Sequence, residues 1–463
     1  MKRREWTRGM AGALTLSLLL TACSGGEEAP GDNGGDETGA GEKTTITIAV
    51  TEKDPIGWLD QAEQAYEALH PDTDVVIEEY IATPKEGDQM AFSLEGNRNP
   101  ADLEKYRAAI NTELMSGAGA DVIAVRDLDV DRYVEKGLFA DLGERMAESG
   151  LLAEEDYFIN VFDAAKTDGK PFVLPVQFSI KAITTGMDAA AQAGDDANWS
   201  WRELLDAGKA LVDQAPGENL AVMAGIDPLT LLTSIVQAEY GTYIDETGKQ
   251  VYFDSEPFRE LLTTIRTMFE TGTVSEPYDA LIEGRDVFRA DTLYSASQLV
   301  ETMQSGRQLL RMPGDGAEEG VVFASNMVFA LNEKSQVKPE AWDFLLFLLS
   351  EEMQANPAMF MSFPLNKAAL EHQLENAILA PAQGKKESDG AFGGTSAMEK
   401  AALSQDQKEE IFRLASQPGR FYNSDPRLMQ MMQEEAAPYF AGEKTAEAVT
   451  KAMQSRAQTY LNE

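Results

Sequence analysis

Thr44-Thr45-Ile46-Thr47-Ile48-Ala49-Val50 is β-branched at almost every position and alternates with a period of two, the pattern of a β-strand. An amphipathic stretch follows, with Trp58, Leu59, Ala62, Ala65, Tyr66 and Leu69 on one stripe at helical spacing. Pro71 ends it, and Asp74 to Tyr80 reads as a second strand. Strand, helix and strand in this order predict a βαβ unit and hence a parallel α/β sheet.

The alternation continues outward from this opening. Ala120-Asp121-Val122-Ile123-Ala124-Val125 reads as a buried strand, and Pro171 to Val176 as another extended segment. Trp201 to Asp213 is a helix with Ser200 as N-cap and Glu203 in the capping-box position. Phe258, Leu261, Leu262, Ile265 and Phe269 mark a strongly periodic helix. Val321 to Ala324 and Met327 to Leu331 read as strands, and Pro339 opens a very apolar helix through Leu349. The last third is mostly helical, ending in Thr445 to Leu461. There is no internal repeat. Gly384 to Ser396 is a loop by its Gly, Ser and Lys content.

The only cysteine is Cys23, in Leu20-Thr21-Ala22-Cys23. Ahead of it stand a basic segment, Lys2, Arg3, Arg4 and Arg8, and an apolar run, Met10 to Leu20, too short for the ~20 residues of a membrane span. The arrangement resembles the bacterial lipobox, in which the thiol is acylated and becomes the mature N-terminus. Residues 1–22 are therefore expected to be a lipoprotein signal peptide. Residues 23–43, rich in Gly, Glu and Asp, are expected to be a flexible acidic tether. The expected location is the extracellular face of the cell membrane, with lipid on Cys23 as the anchor. With that thiol used, the fold has no disulfide and no cysteine-based metal site.

The remainder is long enough for two or three domains, and 43% hydrophobic residues in 463 mark a folded chain. A net charge of −39 argues against nucleic-acid binding, which needs a basic stripe, and against a polybasic membrane surface.

Several segments, in order, resemble one family. Met115-Ser116-Gly117-Ala118-Gly119-Ala120-Asp121-Val122-Ile123 is similar to its run of small residues and Asp leading into a strand. Tyr133-Val134-Glu135-Lys136-Gly137-Leu138-Phe139-Ala140-Asp141-Leu142 and Asp168-Gly169-Lys170-Pro171-Phe172-Val173-Leu174-Pro175-Val176 are similar to two further segments of it. Trp201-Arg202-Glu203-Leu204-Leu205, Ala341-Trp342-Asp343-Phe344-Leu345 and Phe363-Pro364-Leu365-Asn366-Lys367 continue the series. The family is the extracellular solute-binding proteins of ABC importers, in the cluster that mostly carries oligosaccharides. Ala120 stands where the family often has Pro, and residues 84–113 form an insertion or extra helix.

The resemblance implies a two-lobed, periplasmic-binding-protein-like α/β fold with hinge crossings and a ligand cleft between the lobes. The expected lobes are residues 44–177 with 326–362, and 178–325 with 363–463. The crossings are expected near Gln177 to Ile180 and Ser325 to Val328. It also implies a small solute, most often a sugar or oligosaccharide, delivered to ABC permease subunits in the membrane by a monomer without a cofactor. A sensor of the same fold reporting to a membrane kinase and a glycosidase-type enzyme are the alternatives.

Catalytic devices are sparse. Two histidines, His70 and His372, are far apart in sequence, and His70 sits at a helix end where it caps favourably. They do not make a nucleophilic triad or a multi-histidine zinc centre. Gly117-Ala118-Gly119-Ala120 precedes a strand and lacks the third glycine of a dinucleotide loop. Asp127-Leu128-Asp129-Val130-Asp131 imitates a calcium loop, but Arg132 stands where Gly is needed. Its better reading is a helix start. A glycosidase needs two carboxylates, and with 78 acidic residues some such pair is uninformative.

A sugar cleft needs flat aromatic faces and a few polar groups. Asp54 and Trp58 follow the first strand, and Arg126 and Asp127 follow the strand 120–125, at the edge where open α/β sheets bind ligands. Gln177 and Phe178 lie at the first expected crossing, Ser325 and Asn326 at the second. Tyr240, with Tyr243 beside Gly241, and Tyr294, with Ser297, are second-lobe candidates, and Phe363 belongs to the late motif. Trp58 also begins an apolar stripe, so core is its competing reading. Trp342 and the methionines Met429, Met431 and Met432 read as packing.

Overall fold

The computed structural model describes residues 43–53, 56–81, 99–151, 153–186, 199–314, 320–379, 404–422 and 424–462. Cys23, the leader, most of the tether, Asp54, residues 84–98 of the insertion and the 384–396 loop lie outside the described residues.

Strand Thr44–Val50 pairs in parallel with Thr73–Glu79 on one side and Val122–Ala124 on the other, as the βαβ pattern requires. Its alternation sorts the side chains. Ile46, Ile48 and Val50 join a core with Trp58, Ala62 and Tyr66 of helix Trp58–Leu69 and with Trp342 and Phe344 of helix Lys338–Leu348. Ala49 turns to the opposite face, where Tyr106, Ile110 and Leu114 of helix Pro100–Ser116 pack. That helix occupies the second half of the insertion: Asn99 caps it, Pro100 opens it, and Gly117 ends it at φ +80°. His70 closes the first helix, its ring stacked on Tyr66 at 4.2 Å.

The sheet is mixed. Val328–Leu331 inserts antiparallel between Val122–Ala124 and Val173–Pro175, giving five strands. Local pattern predicted only the parallel part, because the inserted strand arrives from 200 residues downstream, after the chain has built most of a second sheet. In that sheet Phe288–Leu293, Gln177–Thr185, Val321–Ala324 and Gly419–Phe421 lie side by side, and Gln308–Leu310 and Phe363–Pro364 also pair with Gln177–Thr185. The molecule is thus a two-lobed α/β fold, each lobe built on its own sheet. The chain passes from the first sheet to the second at Val176 and back at Ser325–Met327. A second core, with Leu204, Leu232, Phe258, Met432 and Met453, fills the other lobe.

Gln354 ties the crossing together. Fully buried, it donates through Nε2 to the carbonyls of Val176 (2.9 Å) and Leu348 (2.8 Å) and accepts from Leu365 N (2.7 Å).

The family-like motifs are structural devices. Asp121 accepts from Thr47 N (2.9 Å), Thr47 Oγ1 (2.7 Å) and Ser335 Oγ (2.6 Å), locking three segments together. Gly137 at φ +63° lets Leu138 N reach Tyr133 O, with the Tyr133 and Phe139 rings stacked at 5.1 Å. Asp168 and Gly169, both at positive φ, form the two-residue turn between the bridged Thr167 and Lys170, a conformation in which the glycine costs nothing.

Candidate functional site

The carboxyl ends of the first-lobe strands release the loops that face the second lobe. After Val50, Thr51 donates its hydroxyl to Asp127 Oδ2 at 3.0 Å. After Ala124 come half-buried Arg126, buried Asp127, and Asp129, which caps helix Val130–Glu135 by accepting from Arg132 N. Arg107 of helix Pro100–Ser116 donates from Nε to the Asp127 carbonyl at 2.8 Å.

Side chains of the second lobe meet this rim. Arg107 Nη1 donates to Gln430 Oε1 at 2.9 Å, and Arg427 Nη1 pairs with Glu104 Oε2 at 3.0 Å. The Arg132 guanidinium lies 5.0 Å over the ring of Tyr460. Tyr460 in turn lies beside Asp425, the buried N-cap of helix Pro426–Phe440, and the two interact electrostatically. Asp425 N donates to Tyr240 Oη at 3.1 Å, and the Tyr240 hydroxyl donates to Glu246. The result is one polar network, Asp129–Arg132–Tyr460–Asp425–Tyr240–Glu246, with members from both lobes.

Its electrostatics follow from burial. Asp129, withdrawn from water and facing Asp425 and Glu246, is pushed up to about 7, against the opposing pull of its bond to Arg132 N and the Arg132 charge. Glu246 and Asp425 are also raised, mainly by burial. Such a cluster holds protons that exposed carboxylates release, and it presents both donors and acceptors.

The sequence candidates divide. Arg126, Asp127 and Tyr240 lie on the two rims, and Asp127 and Tyr240 are tied into the contacts that join them. Gln177 is half-buried at the crossing, and its backbone partner is Pro364. Ser325 folds on itself there, donating to Met327 O (3.0 Å) and accepting from Met327 N (3.2 Å), beside exposed Asn326. Tyr294 is half-buried, with its N–H bonded to Gln298, and Ser297 is exposed, apart from the network. Asp54 lies outside the described residues.

Four expected ligand faces are core instead. Phe178 and Phe363 are 1% and 0% exposed and stack on one another at 5.2 Å, leaving neither ring a free face. Trp58 is 1% exposed, with its indole N–H donating to Met353 O at 3.1 Å. Tyr243 packs edge-on against Phe258. Apolar rings beside a crossing are drawn into the core that runs continuously through it.

Arg107, Asp129, Arg132, Glu246, Asp425 and Tyr460 were not foreseen. Asp425 had one local signal, Asp before Pro at a helix start. The rest meet only through tertiary contacts. A separate groove of 710 Å³, lined by Arg202, Lys209, Arg259 and Thr263 among others, contains none of these residues.

The family profile described as bacterial extracellular solute-binding protein matches residues 51–355. An ABC substrate-binding protein from Listeria monocytogenes, solved in complex with cycloalternan, has a TM-score of 0.53 at 17% identity over 91% of this chain and 99% of that one. The sugar-binding protein MalE from Xanthomonas citri has a TM-score of 0.56 at 14% identity, over 90% and 98%. A chitin oligosaccharide binding protein has 0.54 at 14%, over 91% and 100%. At these identities the likeness is one of fold. No curated protein matches the chain. Among the described residues, no helix is long and apolar enough to cross a membrane.

Proposed function

The chain belongs to the bacterial extracellular solute-binding proteins, and from that membership we propose that it captures a carbohydrate between its lobes and delivers it to an ABC permease. The observation that carries this is the polar network in which rim residues of both lobes meet. Groups so placed reach a solute only when the lobes come together, so capture and closure are one event. Tyr240 and Tyr460 are half-buried aromatic residues, and the carboxylates and guanidiniums around them suit sugar hydroxyls. Named sugar binders among the solved proteins of this fold make carbohydrate the class to test first.

In this reading the lobes are residues 44–177 with 326–362, and 178–325 with 363–463. Arg126, Asp127, Gln177, Tyr240, Tyr294, Ser325 and Asn326 contribute to the cleft. The protein acts as a monomer, makes and breaks no bond, and is held at the extracellular face of the membrane by lipid on Cys23.

The test is a thermal-shift screen of residues 43–463 against mono- and oligosaccharides, with peptides and polyamines as controls. A ligand at 100 times its dissociation constant adds about 2.7 kcal/mol. Stabilisation by one glycan series without turnover supports the proposal. A response to a control ligand alone refutes carbohydrate, and product formation refutes pure binding.

A further inference from the structure

Strand Gly419–Phe421 runs parallel to Val321–Ala324, with Arg420 opposite Val322 and Phe421 opposite Phe323. Tyr422 comes one residue later, beside Ala324, which pairs with Ser179. This is the last row of the second sheet before the chain crosses at Ser325–Met327. Lys181 also pairs with Val322, so Lys181, Arg420 and Tyr422 share one face of the sheet. Lys181 Nζ lies 5.6 Å and Arg420 Cζ 5.9 Å from the centroid of the Tyr422 ring. Three residues on, Asp425 enters the interlobe network, and Arg427 reaches Glu104 of the first lobe.

Tyr422 is half-buried as a residue, and its hydroxyl is shut off from water and has no hydrogen-bond partner. Burial pushes the phenol up to about 12, so it keeps its proton and remains a donor. A buried hydroxyl without a partner loses its hydration and gains nothing in return. Phenylalanine fills the same space without that cost. An unpartnered hydroxyl retained three residues from Asp425 of the interlobe network is explained by an acceptor that arrives from outside.

We propose that Tyr422 is a solute-recognition residue whose hydroxyl donates to an acceptor oxygen of the bound solute. The positive charges of Lys181 and Arg420 beside it make a carboxylate, such as an acidic saccharide carries, the best-matched acceptor. This rests on the solute-binding reading of the cleft and adds a contact to it.

The test is Tyr422→Phe, which removes one oxygen and keeps the ring. Without solute, the variant melts at or above the wild-type temperature. A melting point several degrees lower means the hydroxyl has a structural partner in solution and overturns the proposal, whether or not any solute has been found. Titration calorimetry then uses the best solute from a panel of trigalacturonic acid, maltotriose, a tripeptide and spermidine. The dissociation constant rises about tenfold or more in the variant, the effect of losing one buried hydrogen bond. An unchanged constant overturns the assignment. Tighter binding of maltotriose than of trigalacturonic acid overturns the carboxylate preference. If the tripeptide binds best and Tyr422→Phe still weakens it tenfold, Tyr422 stands as a recognition residue and the carbohydrate reading falls; tightest binding of spermidine, which offers no acceptor oxygen, overturns the assignment.

Discussion

Replacing Asp129 by Asn makes the protein more stable, and the gain is about 2.5 kcal/mol larger at pH 8 than at pH 5. The native fold holds the Asp129 proton up to about pH 7, because the side chain is buried and faces Asp425 and Glu246. The unfolded chain releases that proton near the ordinary value of 3.8. Between these limits the native state binds more protons, so stability falls as pH rises through the window. The whole window is worth about 4 kcal/mol for an isolated site, and about 2.5 kcal/mol of it falls between pH 5 and pH 8. Asn keeps the cap, since its side-chain oxygen still accepts from Arg132 N, and it carries no charge to bury. For a fold of this size, the unfolding entropy converts about 2.5 kcal/mol into about 3 °C. The measurement is the difference in melting temperature between variant and wild type at each pH, which cancels the effect of the −39 net charge. A difference that stays constant from pH 5 to pH 8, or grows toward acid, refutes the claim that burying this carboxylate among like charges sets its titration.

Asp121→Ala strands the donors Thr47 N, Thr47 Oγ1 and Ser335 Oγ, and denaturant melts show a loss of about 2–4 kcal/mol. Phe178→Ala opens a core cavity and costs about 3–5 kcal/mol; a loss under about 1 kcal/mol would mean that the ring faces a cleft after all. Gln354→Leu removes the bonds to Val176 O, Leu348 O and Leu365 N, lowering stability by about 2–4 kcal/mol, and hydrogen exchange at the Leu365 amide speeds up. Unchanged exchange there would show that Gln354 does not hold the crossing.

Local interactions made much of the architecture readable. The alternation of Thr44–Val50, the stripe from Trp58 to Leu69 and the capping box at Ser200 and Glu203 are written within a few residues, and each element forms where its pattern lies. Lys136-Gly137-Leu138 and Asp168-Gly169-Lys170 are equally local, because left-handed turns select glycine and its tolerant neighbours. The antiparallel strand Val328–Leu331 and the partnership of Phe178 with Phe363 were decided only in three dimensions. An apolar residue next to a crossing has the same sequence signature whether it faces a cleft or a core, and the surrounding packing settles which. The network from Asp129 to Glu246 joins residues more than 100 positions apart, with Asp425 and Tyr460 further still. No spacing rule records that meeting, because the charges acquire their shifted affinities for protons only once both lobes have removed them from water.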